Sequence, residues 1–366
     1  TLPLSPAAGA VIGVSDYANT ADTNNITLAR NSSNIEGNAA DFVINQEGIS
    51  ITLVYVDATK GWITTDTGNS SNAFVNDYVE ATGGTITCSG DYRIHTFTGP
   101  GTFTVTGAGT PAGSTTVDYL VVAGGGGGGN ANGGGGGGGA GGYRESPGTT
   151  TGSYTVSPLG VAPAVALPVS IQGYPITVGG GGSGGYFATP STPTGGNPSV
   201  FSTIISAGGG AGAMNHPLAT PQNGGSGGGG SYADPGGTGN TPPVSPSQGN
   251  NGGNGNGNPP VYGGGGGGGA TAVGTAGSTT IRGNGGAGAT SSINGTPTGR
   301  AGGGGGGGIV ASPGGSASDG GGAGGGGTGG TVGTINTGGG GGGAGSGGGG
   351  GAAGGSGIVI IRYKFQ

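Results

Sequence analysis

Residues 119–143 read YLVVAGGGGGGNANGGGGGGGAGGY, an apolar stretch that runs into two unbroken glycine blocks and stops at an aromatic residue. Whether such blocks are ordered decides the fold. Glycine occupies 108 of 366 positions, and further pure blocks stand at 263–269, 302–308 and 338–343. Because 94 of the glycines follow Val122, the second part of the chain has too few side chains for an ordinary apolar core. Either the blocks are flexible linkers or their backbones hold one another.

Fixing a backbone costs about 1–2 kcal/mol per residue and more for glycine, so ordering these residues costs on the order of 100–200 kcal/mol. Only a dense network of backbone hydrogen bonds offsets that. A left-handed extended helix of three residues and about 9 Å per turn points its amides and carbonyls outward, unsatisfied within the segment. Side by side, such helices satisfy one another, as buried backbone groups must be. A side chain on an inner helix would push its neighbours apart, which explains uninterrupted glycine better than a linker does, since a linker accepts serine anywhere. Collagen needs glycine at every third place only, so a triple helix is excluded. The tract is also bracketed by matching apolar strands, 119–122 and 358–361, with a third, 174–178, leading into another block.

The rest of the chain reads as β-structure. Residues 26–62 carry β-branched runs punctuated by Asn, Gly and Asp, the pattern of short antiparallel strands and tight turns. Both faces of 51–56 are fairly apolar, which predicts a strand buried on two sides. More strand signals follow at 83–89, 92–98, 101–106 and 117–123, and no stretch has helical apolar periodicity. The expected fold class is an all-β N-terminal part followed by a polyglycine II helix sandwich, with essentially no α-helix. The expected divisions are a β-rich module at 1–80, a strand connector and base at 81–123, and a glycine bundle at 124–366 closed by a strand at 357–365.

Charge narrows the functions. Of 22 charged residues 16 lie before position 146, leaving the glycine tract without the basic patch that nucleic acid needs. No run of about 18 apolar residues spans a membrane. One cysteine, Cys88, and two histidines, His95 and His216, supply neither a disulfide nor a Cys/His zinc site, and no cofactor or metal is expected. The chain begins at Thr1 without a basic, apolar leader, which reads as a fragment or processed form.

Five pieces in this order, VDYLVVAGGGGGG at 117–129, GGY at 141–143, YPITVGGGGSGG at 174–185, SVFSTIISAGGGAG at 199–212 and GSGIVIIRY at 355–363, resemble the glycine-rich domain of bacteriophage tail-fibre and adhesin proteins. The resemblance covers about residues 91–366, and 26–62 looks like a small β module of phage fibres. It implies a packed bundle of polyglycine helices whose far-end loops bind a bacterial surface receptor, an outer-membrane protein or a polysaccharide. It also implies an extracellular place in the virion tail fibre beside other fibre or virion proteins, and assembly as a homotrimer is expected with it. The loops at 143–174 and 231–262 are longer and richer in proline than that pattern.

A bundle of alternating helices delivers its loops to opposite ends, where binding residues usually sit. Counting passages from a base at 119–123, 174–178 and 358–363 sends 130–132, 186–197, part of 231–262, 290–300 and 331–337 to the remote end. The receptor-binding candidates there are Tyr186, Phe187, Tyr232, Tyr262 and the cation Arg300, because aromatics stack on sugar faces or fill pockets at low entropic cost. The plainer alternative is that each tyrosine covers a bundle edge. Met214, His216 and Arg144 read as base or side packing, and Trp62 as the plug of the N-terminal module.

Catalytic motifs fail on context. GxGxxG follows from glycine abundance alone, no Gly-Lys-Ser/Thr exists for a phosphate loop, and GxSxG at Ser183 and Ser226 has only His216 as a base and no strand-to-helix elbow. Acid pairs such as Asp16/Asp22 and Asp57/Asp66 read as solvated turn residues, so no enzyme is expected. Three rivals to an adhesin remain: a decoration or filament subunit with the bundle as stiff spacer, an ice-binding protein, and a polysaccharide depolymerase.

Overall fold

The computed structural model describes residues 1–18, 20–21, 23–46, 48–65, 77–111, 113–148, 154–186, 191–214, 219–259, 262–309, 313–345 and 349–365. Among them the secondary structure is all β, with no helix. The chain divides into two compact units, Thr1–Asp77 and Tyr78–Gln366.

The first unit contains β1 (Val11–Ser15), β2 (Ile26–Leu28), β3 (Phe42–Ile44), β4 (Ser50–Asp57) and β5 (Gly61–Thr64). β4 lies between β1 and β5, while β2 and β3 form an antiparallel hairpin. Alternation puts Ile51 and Leu53 of β4 into a core with Leu28, Ile35, Ile44 and fully buried Trp62. Tyr55 meets the Trp62 ring edge-on at 5.6 Å. Trp62 is the expected plug. The other face of β4, Thr52, Val54 and Val56, is only half-buried, so this strand is covered on one side, not two. Asp16 holds the neighbouring loop by accepting hydrogen bonds from the amides of Thr20, Ala21 and Gly48. Those amides keep its carboxyl below the usual range.

The second unit begins with β6 (Val79–Thr82), β7 (Thr85–Ser89), β8 (Tyr92–Phe97), β9 (Gly101–Ala108) and β10 (Thr116–Val122). It continues with β11 (Tyr143–Glu145), β12 (Leu167–Pro168), β13 (Gly173–Thr177), β14 (Ser199–Phe201) and β15 (Ile204–Ser206), then β16 (Ala289–Ser291), β17 (Thr298–Arg300) and β18 (Ile358–Lys364). Two larger antiparallel sheets result, ordered β11-β10-β18-β8-β7, with β12 also on β10, and β15-β14-β13-β9-β6. The two apolar strands that bracket the glycine tract pair directly, Leu120 opposite Ile360 and Val122 opposite Ile358.

One face of the first sheet packs on the second sheet through Tyr119, Val121, Val359, Ile361, Phe103 and Phe201. Its other face, Leu120, Val122, Ile358 and Ile360, is covered by Ile293 and by alanines that adjoin glycine blocks, Ala140, Ala270 and Ala301. Strands buried on both faces read as continuous apolar runs, which is why 119–122 and 358–361 are so conspicuous.

Beyond these sheets the backbone follows another rule. In 124–129 the amides of Gly124 and Gly127 donate to Asn197 and Thr194, those of Gly125 and Gly128 to Gly355 and Ala352, and those of Gly126 and Gly129 to Gly139 and Gly136. Successive amides thus point to three different neighbours, and the pattern repeats every third residue. The carbonyls do likewise, Gly125 and Gly128 accepting from Gly182 and Gly185, Gly124 and Gly127 from Gly209 and Gly212, and Gly126 and Gly129 from Gly341 and Ala344. The segment therefore has six hydrogen-bonded neighbours.

The other pure blocks repeat this arrangement. Residues 135–142 donate to 338–344, 207–213 and 265–268, and accept from 123–129, 226–229 and 304–307. All five blocks of the opening reading interlock in this way, each against others of the set. A methyl group on Gly126, Gly138, Gly267, Gly304 or Gly341 would lie well under 3 Å from a carbonyl oxygen of the next segment. Pure glycine is thus a packing requirement.

At the lattice edge, where a neighbour is missing, side chains replace it. Asn254 and Asn251, three residues apart, accept the amides of Gly236 and Gly239 through Oδ1 at 3.0 and 2.8 Å. Asn223 accepts from the Thr238 amide, and Asn284 from the Ser316 amide. Within the Asn-rich stretch at 250–258, Asn251 and Asn254 are thus carbonyl substitutes, while Asn250 instead donates its Nδ2 to the Gly269 and Ala270 carbonyls.

Candidate functional site

The hydrogen-bond registers fix which loops share an end of the lattice. The end at the sheets is marked by the Ala123 amide on the Gly142 carbonyl, and the remote end by the Gly129 amide on the Gly136 carbonyl. Following the passages, the described residues at the remote end are 130–132, the paired Tyr186 and Ser191, the paired Met214 and Ala219, 231–234, 257–259 with Tyr262, 278–281 and 327–328.

Two of the expected remote loops lie at the sheet end instead. Residues 289–300 form the β16–β17 hairpin, whose Ile293 carbonyl accepts from Arg362 Nη1 of β18 at 3.2 Å and whose Ser292 amide donates to Thr155. Of 331–337, the last turn returns to the sheets, where Asn336 donates its amide to Ser356 Oγ. Extra reversals at 223–226, 239–249 and 318–320 change the passage count, and no local sequence feature numbers them.

Arg300 therefore leaves the candidate site. It is 4% exposed, in a polar cluster against β11. There Glu145 accepts from Ser291 Oγ, from Tyr143 Oη at 3.0 Å and from the Ser157 amide at 3.0 Å. Burial raises the Glu145 carboxyl and lowers the Arg300 guanidinium. The cleft over Tyr143, Glu145, Leu159 and Pro246 has room for about one water molecule, far short of a substrate pocket. This cluster, invisible in the sequence, joins the hairpin to the sheet. Arg144 stays at the sheet end as expected, donating to the Ile205 carbonyl.

The tyrosines are where the sequence reading put them. Tyr232 and Tyr262 come together at the remote end, half-buried, with ring centroids 6.0 Å apart and planes inclined by 56°. Both have left-handed backbones, φ 49° and 43°. Such a conformation costs a bulky residue about 1–2 kcal/mol, so the surroundings impose it. The imposition is visible: Ser231 Oγ donates to the Met214 carbonyl, and a methyl on Gly133 would lie 2.6 Å from Tyr262 Cβ and 3.5 Å from Tyr232 Cζ.

Tyr186 exchanges backbone hydrogen bonds with Ser191, at 2.9 and 3.1 Å, and packs its ring on Gly350. Asn130 Nδ2, donating to the Gly349 carbonyl, links that turn to 130–132, where Ala131 is buried and Asn132 exposed. Phe187 and His216 lie outside the described residues. Met214 is 1% exposed beneath the remote turns, a packing residue at that end.

Among the described residues the cation at the remote end is Arg282, which sequence reading did not single out. It is 5% exposed, its Nη2 donates to the Ile309 carbonyl at 3.3 Å, and its side chain passes against Gly308, where a methyl group would collide with Nε and Cζ. Nε has no acceptor among the described residues. Also among them, no cluster of three or more His, Cys, Asp or Glu could hold a metal ion.

Among curated proteins none matches the chain. The model of a family described as a glycine-rich domain matches residues 96–364, which run from β8 through the whole lattice into β18. The protein therefore belongs to the glycine-rich domain family.

Proposed function

We propose that this chain is the receptor-binding tip of a virion tail fibre, an extracellular adhesin without catalysis, whose glycine segments are polyglycine II helices. The observation that carries the reading is the Tyr232–Tyr262 pair, held in left-handed backbone at the end of a rigid amide lattice. A site of this kind loses little entropy on binding, because its aromatic groups are fixed in advance.

The helix assignment rests on the three-directional hydrogen bonding, which a β-strand with its twofold alternation does not produce. A crystal structure checks it: a twofold strand geometry in 124–129 and 135–142 would refute it. The partner is a bacterial surface receptor. The sheet-end elements are the attachment side, toward other tail-fibre or virion proteins and a trimeric shaft.

Adsorption tests the function. Virions carrying Tyr232→Ala with Tyr262→Ala are expected to adsorb to the host at least about tenfold more slowly, and the purified wild-type chain to block adsorption. Unchanged adsorption, with no blocking, removes the adhesin reading and leaves the lattice as a stiff spacer in a decoration or filament subunit.

A further inference from the structure

The geometry points to an acidic saccharide as the ligand of the remote end, its carboxylate or phosphate on Arg282 and its ring on the Tyr232–Tyr262 pair; this rests on the receptor-binding reading above. Three observations converge. First, among the described residues Arg282 is a cation without a counter-charge: no acidic group there pairs with it, its guanidinium makes one hydrogen bond there, and Nε makes none. Burial alone lowers its pKa, with no acid opposing that. An arginine has five donors in a planar fork suited to a carboxylate or phosphate. Its Nε–H is buried without an acceptor among the described residues, which costs desolvation, and the Nη1 donors, which are not among the buried unpartnered atoms, are open to an anion.

Second, the arginine and the tyrosines belong to one patch. Arg282 lies on Gly308, and the adjacent Gly307 accepts from the Gly264 amide, two residues after Tyr262. The Gly283 amide, next to Arg282, donates to Gly264 as well. A methyl on Gly134 would crowd both the Gly307 and the Tyr262 carbonyl oxygens. The cation and the aromatic pair are thus separated by glycine backbone, which lets a flat ring approach both.

Third, the shape fits a sugar better than a peptide. All strands of this unit lie at the sheet end, so the described part of the remote end offers a peptide neither a strand edge to extend nor a helical groove. It offers short turns, two half-buried aromatic faces and the exposed side chain of Ile281 beside the cation. Aromatic faces take the apolar face of a pyranose, and the arginine selects its charge.

The test is a titration of the whole chain followed by NMR, reading the arginine Nε–Hε and tyrosine ring signals. Glucuronate and glucose 1-phosphate are expected to shift Arg282 and both tyrosine rings, glucose to shift neither, and Arg282→Gln to weaken the acidic sugars at least about tenfold. Tyr232→Ala is expected to weaken them without abolishing the Arg282 shift. Equal responses to glucose, or no response in Arg282, overturn the proposal. So does sodium sulfate producing the same Arg282 shift while acidic sugars leave the rings unmoved, since that is simple anion binding. If the tyrosine variants lose host adsorption while an Asp/Glu-rich peptide rather than either acidic sugar engages Arg282, the adhesin reading stands and this one falls.

Discussion

The second unit makes a solid in two ways. At the sheet end side chains do it: Phe103 sits among His95, Phe201 and Tyr363 with centroids 5.0, 6.0 and 6.2 Å away, and the strands are covered on both faces. In the lattice there is almost no side chain to bury, and each inner segment is held by amides and carbonyls of six neighbours. The contrast shows what hydrogen bonds can do when nothing else is present. Each contributes only about 0.5–1.5 kcal/mol net, so the lattice depends on completeness. One missing neighbour must be replaced, as Asn251 and Asn254 replace theirs at the edge.

The largest expected effect breaks the lattice from inside. In Gly138→Val the new side chain would overlap the Gly126 carbonyl, while the Gly138 amide still has to reach Gly341 at 2.8 Å. Ordinary overpacking costs about 1–3 kcal/mol because side chains move aside. Here the obstacle is backbone, and displacing it breaks bonds to several segments, so the cost is expected to exceed the roughly 5 kcal/mol that marks the low end of domain stability. Insoluble or unfolded protein, seen by circular dichroism and hydrogen exchange, is the outcome. Gly180→Ala sharpens the comparison: its methyl meets only Asn197 Nδ2, at 3.8 Å, and stability should stay within about 0.5 kcal/mol. Equal tolerance of both changes would mean that the inner blocks are not packed.

Next in size, Phe103→Ala opens a cavity among the aromatic residues of the sheet end. Denaturant unfolding should show a loss of about 3–5 kcal/mol, typical of a buried phenylalanine. Slow exchange of the lattice amides is expected to persist at moderate denaturant if the two regions open separately, and to vanish together with the sheets if the strands hold the lattice. Asn254→Ala removes an edge substitute from the exposed Gly236 amide, which water can then solvate. About 1 kcal/mol is expected, with faster exchange confined to 236–239.

Much of the architecture was legible because its signals are strong and local. Uninterrupted glycine marks the segments with six neighbours, and continuous apolar runs mark the strands Leu120–Val122 and Ile358–Ile361, which pair. Tyr186, Tyr232 and Tyr262 could be assigned to the remote end because each stands next to a glycine segment that leads there. Which segment adjoins which was not legible, since glycine blocks present identical surfaces and their registers are made of backbone-to-backbone bonds. The cation was misplaced for the same reason. Arg282 and Arg300 are separated by one passage and one hairpin, and only the β16–β17 pairing reveals that they sit at opposite ends.

The slightest expected effect is a pH dependence that belongs to the sheet end alone. His95 Nδ1 is 2.7 Å from the Gly83 carbonyl, so it carries the proton and donates, and Nε2 then accepts from Tyr363 Oη at 2.9 Å. That arrangement requires a neutral ring, and burial lowers its pKa from 6.5. Burial also raises Tyr363, to about 12, consistent with a hydroxyl that keeps its proton. A lowered histidine binds its proton more weakly in the native state than in the unfolded one. Its stabilising contribution is therefore complete above pH 6.5 and is lost as pH falls from there through the native pKa. Glu145 runs the other way: raised from 4.5, it contributes stability below pH 4.5 that is lost as pH rises through its native value. The two slopes have opposite signs, one running down from 6.5 and the other up from 4.5, so the wild-type curve alone does not separate them. His95→Gln does, because an amide can donate to Gly83 and accept from Tyr363 without titrating. The stability difference between variant and wild type should shift in favour of the variant as pH drops below 6.5, while exchange in 124–129 and 135–142, which contain no titratable side chain, keeps only its ordinary chemical pH dependence. If the lattice amides opened in step with His95 protonation, the two regions would be one cooperative unit, and their separation into side-chain and backbone solids would describe packing only, not stability.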